Sequence, residues 1–162
     1  MTQTASRANG ASTPTDDMRV AVSTVIFSLR AGDAAPSVVI PLVRRTRDPH
    51  EGLWALPGGW LRDAENLEAA ASRTLAETTG LAPSYLEQLY AFGDVDRSPT
   101  RVVSIVYWAL VREDASHAGE PEDPENVAWF DTAALPPLAF DHAQIVDYAL
   151  WRLRNKVGYS RI

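Results

Sequence analysis

The stretch GGWLRDAENLEAAASRTLAETTGL, residues 58–81, decides how the rest of the chain is read. Pro57 followed by Gly58 and Gly59 marks a tight turn, because glycine takes up backbone conformations that other residues resist. Asn66 stands at the N-cap position of a helix predicted over 67–79, and Gly80 stands at its C-terminal stop. Leu67, Ala70, Ala71, Leu75 and Thr78 recur at roughly helical spacing and form one stripe. Arg73 and Glu77 lie one turn apart, an i,i+4 ion pair. The centre of the chain is therefore a glycine loop running into one helix.

Upstream, RVAVSTVIFSL (19–29) and SVVIPLVR (37–44) are rich in β-branched residues and read as two strands joined across AGDAAP (31–36), a hairpin in which Pro41 hints at an edge or a bulge. Residues 1–17 have little to bury and read as a flexible tail, so the folded domain is expected over 18–162. Downstream, 85–92, 101–111 and 127–130 read as strands. Asp141 is expected to cap a final helix over 142–156, in which Ile145, Tyr148, Ala149 and Leu153 share a face. Strands on both sides of one central helix, with a second helix at the end, predict an α/β or α+β domain, a mixed sheet covered by helices.

The composition narrows the function. An apolar content of 46% in 162 residues suits a single domain with a real core, and no run approaches the roughly 20 apolar residues of a membrane span. Cysteine is absent, which removes disulfides and thiolate metal sites and fits a cytoplasmic protein. The net charge of −6 argues against nucleic-acid binding by this domain alone, since phosphate neutralisation dominates that affinity. Arg44, Arg45 and Arg47 nevertheless cluster just before the glycine loop, and guanidinium suits bidentate phosphate pairing. Strand alternation predicts that only one of Arg44 and Arg45 faces a cleft, with Arg45 favoured. Arg97 and Arg101 flank a turn that is placed to close such a cleft. Trp54, Trp60, Tyr107 and Trp108 are the aromatic candidates for stacking on a base, each read first as a packing residue. His50 and His142 have no adjacent nucleophile or second ligand and are assigned structural roles.

The central stretch also resembles the Nudix box, Gly-x5-Glu-x7-Arg-Glu-U-x-Glu-Glu-x-Gly-U, where U is a bulky aliphatic. Gly59, Glu65, Arg73, Leu75, Glu77, Gly80 and Leu81 match it, whereas Thr74 and Thr78 stand where the pattern has Glu. The resemblance implies an α/β/α sandwich with the box as loop–helix–loop. It also implies a structural ion pair between Glu65 and Arg73, and a backbone ligand at Gly58. In Nudix hydrolases the positions of Thr74, Glu77 and Thr78 supply magnesium ligands and often the base. Here only Glu77 keeps a carboxylate, so Mg²⁺ is expected to bind weakly and not to be required for ligand binding. Threonine neither offsets a divalent charge nor acts as a base near neutral pH.

Three further pieces, RTRDPHEGLWALPGGWL, YLEQLYAFGDVDRSPTRVVSIVYWAL and LAFDHAQIVDYALWRLRNKVGYS, resemble the Nudix domain of NrtR-type transcriptional regulators of NAD metabolism and the ADP-ribose hydrolases near them. Where that group usually has Asp-Pro-Arg-Gly, this chain has Ser98-Pro99-Thr100. The resemblance implies a domain that binds ADP-ribose or a similar nucleotide, with Arg44, Arg45, Arg47, Gly58, Gly59 and Arg101 as binding candidates. It further implies a homodimer, and DNA contact only through a winged helix-turn-helix beyond Ile162. The alternative is an active Mg-dependent hydrolase of the ADP-ribose pyrophosphatase type, with Glu77 as its catalytic residue and carboxylates recruited from the acidic loop of Glu120, Glu122, Asp123 and Glu125.

Overall fold

The computed structural model describes residues 17–112 and 119–160. The proposed tail over 1–17 lies almost wholly outside the described residues, as does the beginning of the acidic loop. In chain order the elements are β1 (Arg19–Arg30), β2 (Ser37–Arg44), β3 (Trp54–Ala55), β4 (Gly58–Trp60), α1 (Leu67–Thr79), β5 (Glu87–Phe92), β6 (Val102–Val111), β7 (Val127–Asp131) and α2 (His142–Ser160).

Strand β1 is the spine of a seven-stranded mixed sheet among the described residues. It runs parallel to β6 from Arg19↔Val102 to Ser28↔Val111. Seven consecutive residues of β1, Val22 to Ser28, are buried, as expected for a strand covered on both faces. Alternation sorts its side chains. Val22 and Ile26 pack with Tyr107 against Ala70, Ala71 and Leu75 of α1. Val25 and Phe27 pack with Val106 and Trp108 against Ile145, Val146, Ala149 and Leu153 of α2. A sheet with a helix on each face is the α/β/α sandwich.

The expected hairpin is present but short. β1 and β2 pair only from Ser28↔Val39 to Arg30↔Ser37 and then diverge. The segment from Trp54 to Trp60 fills the gap. Its first part pairs with β2 through Val43↔Ala55 and Arg44↔Trp54, and its second with β1 through Ser23↔Gly58 and Ala21↔Trp60. Thr24 N donates to Pro57 O at 3.0 Å, and Leu61 N to Val20 O at 3.0 Å. This geometry explains Pro41. Thr132 N donates to Val38 O, so even-numbered residues of β2 bond to β7 and the ring nitrogen of Pro41 faces the side where β1 has departed. Pro41 is neither at an outer edge nor at a bulge; it sits at an internal divergence.

Helix α1 spans the predicted residues and ends as read. Gly80 takes the left-handed conformation, with φ +79°, and its N–H caps Ala76 O. Asn66 occupies the N-cap position but makes no side-chain cap bond; only its carbonyl serves, accepting from Ala70 N at 2.9 Å. The final helix runs to Ser160, beyond the expected 156.

Candidate functional site

Where β1 and β2 separate, the sheet opens into a cleft of about 650 Å³. Its walls come from the end of β2 and the turn after it, the Gly58–Gly59 segment, the 97–100 turn, and Phe140 and His142 at the start of α2. Gly58 is required here for packing. A Cβ on it would stand 2.3 Å from Val22 O, so any larger residue would lift β4 off β1.

The structure brings together Arg44, Arg45, Arg47, Gly58 and Gly59 from the candidate set. Both Arg44 and Arg45 contribute to the cleft wall, as does Val43 before them. β2 ends at Arg44, so Arg45 lies beyond the strand, where two-residue alternation no longer applies. Arg44 Nε donates to Asn126 Oδ1 at 2.9 Å. Arg45 Nε donates to Pro49 O at 2.6 Å, and its guanidinium carbon lies 4.9 Å from the Phe140 ring centre. Among the described residues, none of these three arginines has a carboxylate within ion-pair distance. Burial first, and then the positive charge of Arg47, pull the pKa of Arg45 below its ordinary value, with Asp48 opposing. A cation held in this way is relieved by an anion.

Two other arginines are already committed. Arg97 lines the cleft, but it is 4% exposed and bidentate to Asp141, at 2.7 and 2.9 Å, and it also donates to Ser104 Oγ and Val102 O. Arg101 does not line the cleft; it donates to the carbonyls of Gly93 and Asp94. Among the four aromatic candidates only Trp60 borders the cleft, with the guanidinium of Arg19 stacked 3.6 Å from its ring centre. Trp54 packs edge-on to Phe130, Trp108 to Phe27, and Tyr107 lies under α1.

The box splits into a scaffold and an altered helix face. Arg73 grips Glu65 through Nε at 2.6 Å and through a terminal nitrogen at 2.9 Å, and donates to Glu77 at 3.1 Å and to Trp60 O at 3.0 Å. The hydrogen bond from Arg73 is the leading cause that holds Glu65 below the usual carboxylate range. Thr74 is 2% exposed and donates to Ala71 O, while Thr78 donates to Thr74 O at 2.7 Å. Both hydroxyls are turned back onto the helix. Glu77, the remaining carboxylate, is shared between Arg73 and, at 3.9 Å, Arg62. Among the described residues no three His, Asp or Glu side chains gather to hold a metal ion. The residues present on α1 do not fit the oxygen set that Mg²⁺ demands.

Of the acidic loop, Asp123 lines the cleft, as does Thr78 of α1. The loop is docked on the helix end, where Glu122 N donates to Glu77 O at 2.9 Å. His142, which the sequence reading assigned to a structural role, also belongs to the cleft. It is buried, borders the cleft, and accepts a hydrogen bond on Nδ1 from Leu56 N at 3.0 Å. That contact spans 86 residues of chain, so no local pattern announces it.

The sequence profile of the NUDIX domain matches residues 18–149. The chain is 35% identical over 146 residues to the ADPR responsive transcriptional repressor NtrR of Acinetobacter baylyi, covering 87% of this chain and 56% of that protein. It is 38% identical over 115 residues to an ADP-ribose pyrophosphatase of Methanocaldococcus jannaschii, covering 70% of this chain and 67% of that one. Among solved structures, the NUDIX domain of Shewanella oneidensis NrtR complexed with ADP ribose superposes with a TM-score of 0.72 at 31% identity, covering 93% of this chain and 99% of that domain. The chain thus spans little more than half the length of the Acinetobacter repressor.

Proposed function

This chain belongs to the Nudix family, and from that premise we propose that it binds ADP-ribose or a related nucleoside diphosphate derivative as the sensing domain of a transcriptional regulator, with little or no hydrolysis. The observation that carries this reading is the contrast within one site. Arg44, Arg45 and Arg47, which have no carboxylate within ion-pair distance among the described residues, converge on a cleft, while the helix that would hold the metal keeps one carboxylate where the family pattern has three. The first half favours a diphosphate anion, since charge-assisted bonds from guanidinium are among the stronger hydrogen bonds. The second half removes the usual means of activating water. The likeness to a repressor described as responsive to ADPR, and to a domain solved with ADP ribose, supports the same ligand.

Calorimetry with ADP-ribose, with and without Mg²⁺, tests the reading. Binding of equal strength in both conditions is expected, and no heat in either overturns it. DNA contact and dimerisation are proposed for the whole regulator, with the DNA held by a segment following this domain.

A second reading, an active pyrophosphatase, draws on Asp123, the one residue of the acidic loop that lines the cleft. Single-turnover product analysis at high protein and Mg²⁺ separates the two. Release of AMP and ribose phosphate at rates typical of Nudix enzymes would favour the enzyme.

A further inference from the structure

His142 stands in the cleft wall in an unusual chemical position. Its Nδ1 accepts from the buried amide of Leu56, so in the neutral ring the proton resides on Nε2. Nε2 has no acceptor among the described residues, yet it is not among the polar atoms sealed from solvent without a partner. Its remaining exposure is therefore to the cleft that the residue borders. The ring is fixed from two sides. The Leu56 amide sets its tautomer, and Phe140 packs against it at 5.6 Å between ring centres. The residue as a whole is more than nine-tenths buried, so its unpartnered Nε2–H can donate only into the cleft, and a ligand that displaces water from it must offer an acceptor in return.

We propose that His142 is a ligand-contacting donor, whose Nε2–H hydrogen-bonds an acceptor oxygen of the nucleotide bound in the cleft. The proposal rests on the binding function argued above. It adds a neutral donor to the arginines. The arginines supply charge for the diphosphate, and His142 supplies direction without charge. Burial keeps the imidazole uncharged, so the donor persists across the physiological range. The acceptor is an oxygen of the diphosphate or of a sugar, chemistries that nucleotide fragments can tell apart.

Long-range proton–nitrogen spectra of histidine-labelled full chain are recorded free and during titration with ADP-ribose. In the free protein His142 is expected as the neutral Nε2–H tautomer, and its Nε2 signal moves on titration. AMP and ribose 5-phosphate, titrated separately, identify which fragment carries the acceptor. Two variants test the same point by calorimetry. In His142→Asn the amide oxygen takes the place of Nδ1 and keeps the Leu56 contact, but the donor is gone; binding of ADP-ribose is expected to weaken roughly tenfold, the size of one hydrogen bond. In His142→Gln the amide nitrogen takes the place of Nε2, and most of the affinity returns. An unmoved His142 signal in wild-type protein that binds ADP-ribose overturns this assignment and leaves the binding function standing. Absence of binding by the wild type overturns both.

Discussion

At the scale of single residues, Arg45 and the pair Thr74 and Thr78 carry opposite halves of the functional argument. Arg45 is a partly buried cation with only carbonyl oxygens as hydrogen-bond partners among the described residues. Its replacement by alanine is expected to weaken ADP-ribose binding by about 2 kcal/mol, the range of a hydrogen bond to a charged group, measured by calorimetry on folded protein. Restoring carboxylates is expected to do the reverse for metal. The double change Thr74→Glu and Thr78→Glu places two acids within one turn of Glu77, and Mg²⁺ titration should then give tighter binding than in the wild type. Thr74 is the less accommodating site, because a Cβ on Gly59 would already stand 3.0 Å from its Cγ2.

His142 yields a pH signature that is independent of any ligand. Burial is the chief cause lowering its pKa from 6.5 to about 4; Asp141 opposes, and Arg97, Arg45 and His50 reinforce. The unfolded chain takes up this proton near pH 6.5, whereas the folded chain resists it until about pH 4. Stability is therefore complete above the unfolded value and is lost as pH falls through that window, by roughly 3 kcal/mol in all. Denaturant melts between about pH 7.5 and about pH 4.5 should show this decline, and His142→Asn should flatten it. An equally steep decline in the variant would place the lost stability elsewhere.

At the scale of elements, α1 owes its ends and its face to short-range signals. Periodicity places Ala70, Ala71 and Leu75 under β1, and left-handed Gly80 terminates the helix. Gly80→Ala is expected to destabilise by about 2 kcal/mol or more, combining the left-handed penalty with a clash, since the new Cβ would lie 2.3 Å from Gly119 O. A lowered melting temperature with unchanged ligand stoichiometry is the expected outcome. The longer strands were legible for the same reason, because β-branched runs announce themselves. β3 and β4 were not. With two and three residues, each lacks a period, and each exists only because distant β2 and β1 offer open edges.

At the scale of the whole molecule, the sandwich could be read from the sequence while the cleft was legible only in part. The arginine cluster and the glycine pair advertise an anion site in composition alone. Which arginines remain available depends on contacts across the fold. Arg97 is withdrawn by Asp141, 44 residues away, and Arg101 by the carbonyls of Gly93 and Asp94. Asp123 and His142 enter the wall through packing that no window of sequence contains. The alternation rule does not extend to Arg45, because it applies only while a strand continues and β2 ends at Arg44.

The segment from Trp54 to Trp60 has one more consequence. It joins β2 at one end and β1 at the other, ties to the start of α2 where Ala139 N donates to Trp54 O at 2.8 Å, and forms a wall of the cleft. Binding-site rigidity and sheet closure therefore belong to one cooperative opening unit. Amide hydrogen exchange should reveal it: the protons of Thr24, Arg45, Leu61 and Ala139, dispersed over more than a hundred residues, are expected to exchange with a common opening free energy. A nucleotide in the cleft should slow all four together.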